Sequence, residues 1–445
     1  MTYQDQYQEK KVTIDEAAQS IKDGDRIAAN SVAAMPVDLL KKIENRYEEL
    51  NNVEIFSSFL TTPFRFLTEP EVAAHVHYNS FFVGALERQY AQNGLFSVTS
   101  FNFSNTEDFI KNVVKPNVFV TTAAAMDEDG NFNLGPMGVA QGKLIADVAD
   151  RVIIQVNKDV PPVKGKSTTL HIDDVDLIFE QDEPLAEIPE LESGEIDKQI
   201  ASHILPEVED GSTVQIGVGG LSGAVSYGLR DKKDLAVHTE MITQSMMTLA
   251  KEGVITGDIV GGFAMGSKDL YNFAGESDQI SIEPVYDVVD PYQAGQKDKL
   301  ISINACLMVD ITGQVVSEGA GTRIIAGTGG ALDFARAANI SEGGKSFFCV
   351  RSVNKDKKTG ELSSNIKFAL PEGTPVTIPR SETDYIATEY GIAHLKNQSI
   401  SERVRRLIAI AHPEVRDQLT EQAKKVGYIS ESVSYTHLRA HETRH

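Results

Sequence analysis

Short apolar runs without polar alternation, such as RVIIQV (151–156) and KSFFCV (345–350), punctuate the chain. Runs of that kind fit strands covered on both faces. Helical stretches such as SERVRRLIAIAHPEVRDQL (401–419) stand between such runs and supply the cover. The pattern predicts an α/β fold with mostly parallel sheets.

The pattern is written twice. IKDGDRIAANSVAAMPVDLLKKI (21–43) and VEDGSTVQIGVGGLSGAVSYGL (208–229) share an Asp-Gly turn, an apolar strand, a small-residue turn and an amphipathic helix, with Gly24 matching Gly211. NVFVTTAAAMDEDGNFNLG (117–135) and LISINACLMVDITGQVVSEG (300–319) share a strand, an Asp-x-x-Gly turn and a short strand, with Gly130 matching Gly313. The offsets, 187 and 183, are nearly equal and the order is kept. Two similar α/β domains are therefore expected, 1–185 and 186–431, joined through the acidic, proline-bearing stretch EQDEPLAEIPELESGEID (180–197). The final stretch, SVSYTHLRAHETRH (432–445), spaces His437, His441 and His445 four apart but offers them no carboxylate or cysteine partner. It resembles translated sequencing-adapter read-through. The expectation is a non-native tail, with the native chain ending near Ile429.

Charge narrows the partners. With a net charge of −22 over 445 residues, neither nucleic acid nor an anionic membrane is the expected main partner. An anionic ligand must then be held locally, by backbone N–H groups or a few cations. Two cysteines, Cys306 and Cys349, give no disulfide framework and no thiolate metal site, which fits a reducing cytoplasm. The polar start shows no signal peptide, and no apolar run of about 18 residues could span a bilayer.

Three glycine turns invite phosphate chemistry. QIGVGGLSGAV fails the dinucleotide fingerprint because Ser222 stands where glycine is needed. GGKS (343–346) fails the P-loop pattern because Asn339 replaces its first glycine. GTGGALDFARAA (327–338) is a third turn leading into a helix. Such turns serve as tight packing devices, or they present backbone N–H groups to a phosphate or an oxyanion at a strand's C-terminal edge. Gly217, Gly219 and Gly220 lie one helix and one short strand before AVHTEM (236–241). Its carboxylate, Glu240, reads either as a helix-start charge or as a nucleophile beside that oxyanion site. His238 reads as a strand-end histidine in a structural hydrogen bond. His75 and His77 alternate faces without a third ligand, so no metal is expected there. ERVRR (402–406) reads as a solvated helix face.

The motifs FFVG (81–84), DEDGNFNLG (127–135), IGVGGLSGAV, HTEM, INACLMVD (303–310), GTGGALDFARAA and the stretch opening RSETDYIATEYG follow one another in order. Together they resemble the acetyl-CoA hydrolase/transferase family of class I coenzyme A transferases, most closely its 4-hydroxybutyrate and butyryl-CoA:acetate branch, over residues 10 to about 428. The resemblance implies a tandem coenzyme A transferase fold. It implies Glu240 as a nucleophile that forms a glutamyl-CoA thioester, and a coenzyme A loop at Gly217, Val218, Gly219 and Gly220, with Ser222 in place of the family's proline. It further implies coenzyme A contacts at the turn of Gly329 and Gly330 and at Lys355, and substrate contacts at Ser31 and Glu389. Many members carry Asn-His-Pro before the INAC strand. Here the sequence is VVDPYQ, so Asp290 replaces an amide donor and leaves the choice of acid open. Coenzyme A is then a co-substrate, no permanent cofactor is expected, short-chain carboxylates are the partners, and the assembly is a homodimer or homotetramer. An acyl-CoA hydrolase using the same glutamate is the alternative; a sugar-phosphate isomerase-like or non-catalytic relative is a more distant one.

Overall fold

The structure is a computed structural model that describes residues 2–356 and 358–430; the expected non-native tail at 432–445 lies outside the described residues. Strands β1 (Arg26–Ala29), β2 (Val53–Ser57), β3 (Val76–Ser80), β4 (Phe96–Val98), β5 (Val118–Ala123), β6 (Arg151–Val156) and β7 (Leu177–Glu180) form one sheet in the order 4-3-2-1-5-6-7. Every neighbouring pair in it is parallel. A second sheet holds β8 (Thr213–Ile216), β9 (Leu235–Ile242), β10 (Ile255–Ala264), β11 (Ile280–Ile282), β12 (Leu300–Ala305), β13 (Lys345–Cys349), β14 (Tyr385–Thr388) and β15 (Gly391–His394). Its order is 11-10-9-8-12-13-14-15, and only β15 runs antiparallel to its neighbour. Subtracting seven from each label returns the order of the first sheet with one strand added at the edge.

The repeat extends to single hydrogen bonds. Gly24 and Gly211 both take positive φ, +76° and +77°, at the Asp-Gly turns. Each donates its N–H at 2.9 Å to the residue entering the next strand loop, Asn51 and Lys233. In the Asp-x-x-Gly turns, Asp127 Oδ1 accepts from the N–H of Asp129 and Asn131, and Asp310 Oδ1 accepts from the N–H of Thr312 and Gln314. These carboxylates fold the chain back by satisfying donors two and four residues on. The strand registers also correspond: Ile27 pairs with Ile55, and Val214 with Val237. Counting on from those pairs, Ser31 stands where Val218 does, Val32 where Gly219 does, and Ser58 where Glu240 does.

We propose dividing the chain at 185/186, one unit per sheet. The acidic stretch between them is not a slack tether: Leu185, Ala186 and Ile188 pack partly buried against apolar residues of both halves, and Ile188 N–H bonds Gly266 O at 2.9 Å. The edge of β11 is covered by the first half, where Lys164 O accepts the Ile282 N–H at 2.8 Å. Next to it Gly165 has φ +139°, and a Cβ there would stand 1.9 Å from Ile282 O, so only glycine fits this crossing.

Candidate active site

Parallel α/β sheets offer ligands the C-terminal edges of their strands, and both sheets turn those edges toward one cleft. Glu240 lies on β9 itself, and the following helix starts only at Gln244 after Thr243. It is therefore not a first-turn charge of its own helix. Two residues back, buried His238 bonds Val288 O through Nε2 at 2.7 Å, and burial holds its pKa below the ordinary value. That is the structural hydrogen bond expected of it.

The partner of Glu240 comes from another element. Glu240 Oε2 accepts the Gly330 N–H at 2.9 Å. Gly330 is the N-cap of the helix Ala331–Ile340. In a capping box the acidic side chain three residues into the helix accepts that N–H; here Glu240 does so from a different strand. The fit requires glycine, since a Cβ on Gly330 would sit 2.5 Å from Glu240 Oε2. Burial pushes the Glu240 carboxyl up to about 7, against the lowering pull of the Gly330 N–H, and the charge of Asp333 pushes it further the same way. A carboxylate so placed is poorly solvated and partly ionised at neutral pH, and its other oxygen is available to react.

The loop Gly217–Gly220 divides its roles. Gly217 donates its N–H to Ile303 O at 2.8 Å, so that group belongs to the sheet and is not an oxyanion donor. Gly217 also lies against Asn304, whose Oδ1 a Cβ would meet at 2.8 Å. Asn304 is tied to Gln215 and Ser302 beneath the loop. Gly219, at φ +117° and ψ −179°, occupies a region open essentially to glycine alone, and a Cβ there would meet nothing within 4 Å. Val218 and Gly219 line a cleft of about 690 Å³, with Phe82 and Gly84 from the first half and Met241 and Gln244 from the second. That volume is typical of a small-molecule site. Gly220 begins the helix Gly220–Gly228 and packs against Asp197, which is paired to Arg351 at 3.0 Å.

A smaller pocket of about 40 Å³ opens among Ser31, Ser58, Phe59, Phe81, Phe263 and Val285. Ser31 and Ser58 hydroxyls lie 2.9 Å apart. The loops carrying them are strained: Val32 has φ +48° and Phe59 φ +50°, rare for a β-branched or bulky residue. Phe59 borders both cavities and stacks on Phe82 at 4.7 Å. Phe82 in turn lies against Gly327 and Gly329.

The other expected contacts sit elsewhere. Lys355 is exposed on a hairpin with Leu362–Ser364 and borders neither cavity. Glu389, in the tight turn between β14 and β15, accepts from the N–H and hydroxyl of Ser352 at 2.9 and 2.5 Å. Asp290 caps the short helix Pro291–Ala294 through the N–H groups of Tyr292 and Gln293. Sequence reasoning did not single out Phe59, Phe82, Asn304 or Asp333. Phe82 and Asn304 lie inside the quoted motifs FFVG and INACLMVD, Asp333 was readable as the acidic residue three past a helix-starting glycine, and Phe59 carried no signal. Among the described residues no helix is long and apolar enough to cross a membrane, and no cluster of three or more His, Cys, Asp or Glu could hold a metal.

The acetyl-CoA hydrolase/transferase N-terminal domain matches residues 1–189, and the C-terminal domain of that family matches 266–423. The chain belongs to the acetyl-CoA hydrolase/transferase family. It is 35% identical to the butyryl-CoA:acetate CoA-transferase of Anaerostipes caccae, over 96% of this chain and 98% of that one. It is 34% identical to the 4-hydroxybutyrate coenzyme A transferase of Clostridium kluyveri, over 96% and 100%. The crystal structure of RipA from Yersinia pestis superposes with a TM-score of 0.89 at 33% identity, covering 96% of this chain and all of that one.

Proposed function

We propose that this chain is an acyl-CoA:carboxylate coenzyme A transferase that works through Glu240. The observation that carries the mechanism is a carboxylate raised by burial, with one oxygen held by the Gly330 N–H, next in sequence to Met241, which lines a cleft large enough for a long, thin ligand. The free oxygen of Glu240 attacks the acyl-CoA carbonyl and expels coenzyme A thiolate, leaving a mixed anhydride. Thiolate then adds to the glutamyl carbonyl, whose oxygen is Oε2. The negative charge formed there falls on the atom to which the Gly330 N–H already points, and one such donor is worth roughly 2.7–4 kcal/mol. Collapse releases the acid and leaves a glutamyl-CoA thioester. A second carboxylate runs the steps in reverse.

The coenzyme A body would lie in the larger cleft against Val218 and Gly219, its remote contacts supporting the reacting centre. The acyl group would occupy the smaller pocket; its Ser31 and Ser58 hydroxyls can meet an oxygen on the chain. Phe59, Phe82 and Met241 screen the anhydride from water, which favours transfer over hydrolysis. A cytoplasmic homodimer or homotetramer is the proposed setting, and light scattering on a sizing column checks the assembly.

The test is to incubate the enzyme with acetyl-CoA and no acceptor acid, then map peptides by mass. A coenzyme A adduct on Glu240, discharged by added butyrate or acetate and absent in Glu240→Ala, is expected. Steady release of thiol to water at the rate of transfer would make the enzyme a hydrolase. A modified residue other than Glu240 would remove it from the mechanism.

A further inference from the structure

The Gly330 N–H can serve Glu240 only if the turn bearing it is held in place, and what holds it is the other half of the molecule. Ser100 Oγ lies 2.6 Å from Thr328 Oγ1, and the Phe103 N–H donates to Gly329 O at 3.2 Å. One step further, Asp333 is fully buried, and its two oxygens accept the N–H and the hydroxyl of Ser104 at 3.0 and 2.7 Å. An acidic residue at this helix position ordinarily turns back to the N-cap N–H. Asp333 does not, because Glu240 has taken that donor. A buried carboxylate must have its oxygens satisfied, and both partners here belong to a single residue across the seam.

We propose that Asp333 is a positioning residue for acyl transfer: by anchoring the turn to Ser104 of the first half, it aligns the Gly330 N–H with Glu240. The inference rests on the reading of Glu240 as nucleophile. The charged groups around Asp333 are Glu240, Arg336 one turn along its own helix, and Asp290. Asparagine at 333 can accept only the Ser104 N–H and must meet the Ser104 hydroxyl as a donor, so two charge-assisted bonds become neutral ones and the turn is held less firmly. A shift of an ångström at the reacting centre costs up to about 100-fold in rate.

The experiment compares full-length wild type, Asp333→Asn and Ser104→Ala. It reads kcat, KM for acetyl-CoA, the pH profile, the rate of adduct formation at Glu240 and the melting temperature. Asp333→Asn is expected to lower kcat and the adduct rate roughly 10- to 100-fold, with KM within about twofold because Asp333 does not line the cleft. Its acid limb moves to lower pH, because a negative charge beside Glu240 is gone. Ser104→Ala, which removes one of the two bonds, is expected to lower kcat several-fold and decides the matter if Asp333→Asn does not fold. A changed melting temperature with wild-type kcat and acid limb would reduce Asp333 to a structural cap and overturn the proposal. Wild type that forms its adduct while the variants do too, at the same rate, leaves the reading of Glu240 standing and sinks only this inference. Absence of a Glu240 adduct in wild type sinks both.

Discussion

At the scale of the residue, Glu240 is held in a state that costs the fold something. Its carboxyl is pushed from 4.5 up to about 7 by burial. A raised carboxyl contributes stability below its unfolded pKa and loses it as pH rises through the folded value. The ionised side chain therefore weakens the native state above pH 7, by at most ~3 kcal/mol on the conversion of pKa shift to energy. Glu240→Gln keeps an acceptor for the Gly330 N–H and carries no charge. It should abolish transfer yet raise the melting temperature at pH 8, with the gain shrinking to nothing below pH 4.5; a thermal scan series over pH checks this. The rate in wild type should fall below about pH 7 as the nucleophile takes up its proton. Gly330→Ala probes the same contact from the other side. At φ −98° alanine is allowed, so the protein should fold with a modestly lower melting temperature. The added Cβ, 2.5 Å from Oε2, should cut kcat roughly 100-fold or more, the loss of one oxyanion donor. Unchanged kcat would show that Glu240 reacts from another rotamer.

At the scale of the element, strands and their order were readable, and side-chain direction was not. The runs at 151–156 and 345–350 became β6 and β13, buried and parallel as their lack of alternation requires. The Asp-Gly and Asp-x-x-Gly turns were legible because their chemistry is local. The role of Gly330 was not, since it depends on a strand 90 residues away arriving at the helix start. Glu389 follows the same rule: its number could be read, but its partner Ser352 is brought to it by tertiary packing. In the Gly217–Gly220 loop the strain sits at Gly219. Gly219→Val faces open cleft, not crowding, but forces a branched side chain into a glycine-only conformation. It should lose about 1–3 kcal/mol of stability and, by projecting into the cleft, raise KM for acyl-CoA. Melting temperature and KM measured together separate the two effects. A variant with wild-type values of both would mean that the loop is neither strained nor in contact with ligand.

At the scale of the whole molecule, the proposed site draws on both halves. The second contributes Glu240, Gly330 and the Gly217–Gly220 loop; the first contributes Phe59, Phe82, Ser31 and the segment that grips the turn at Gly329. Residues 186–431 expressed alone should form no adduct with acetyl-CoA, whatever their helical content by circular dichroism. Adduct formation by that fragment would show that the first half only adds specificity. The matched registers carry a further consequence. Ser58 occupies in the first half the place of Glu240 in the second, and Val32 occupies the place of Gly219, keeping a positive φ that its own side chain disfavours. One backbone plan thus gives two different strand edges: the bend is filled by the buried Val32 side chain in the first half and left open at Gly219 in the second, so the first walls off its edge while the second leaves room for a ligand.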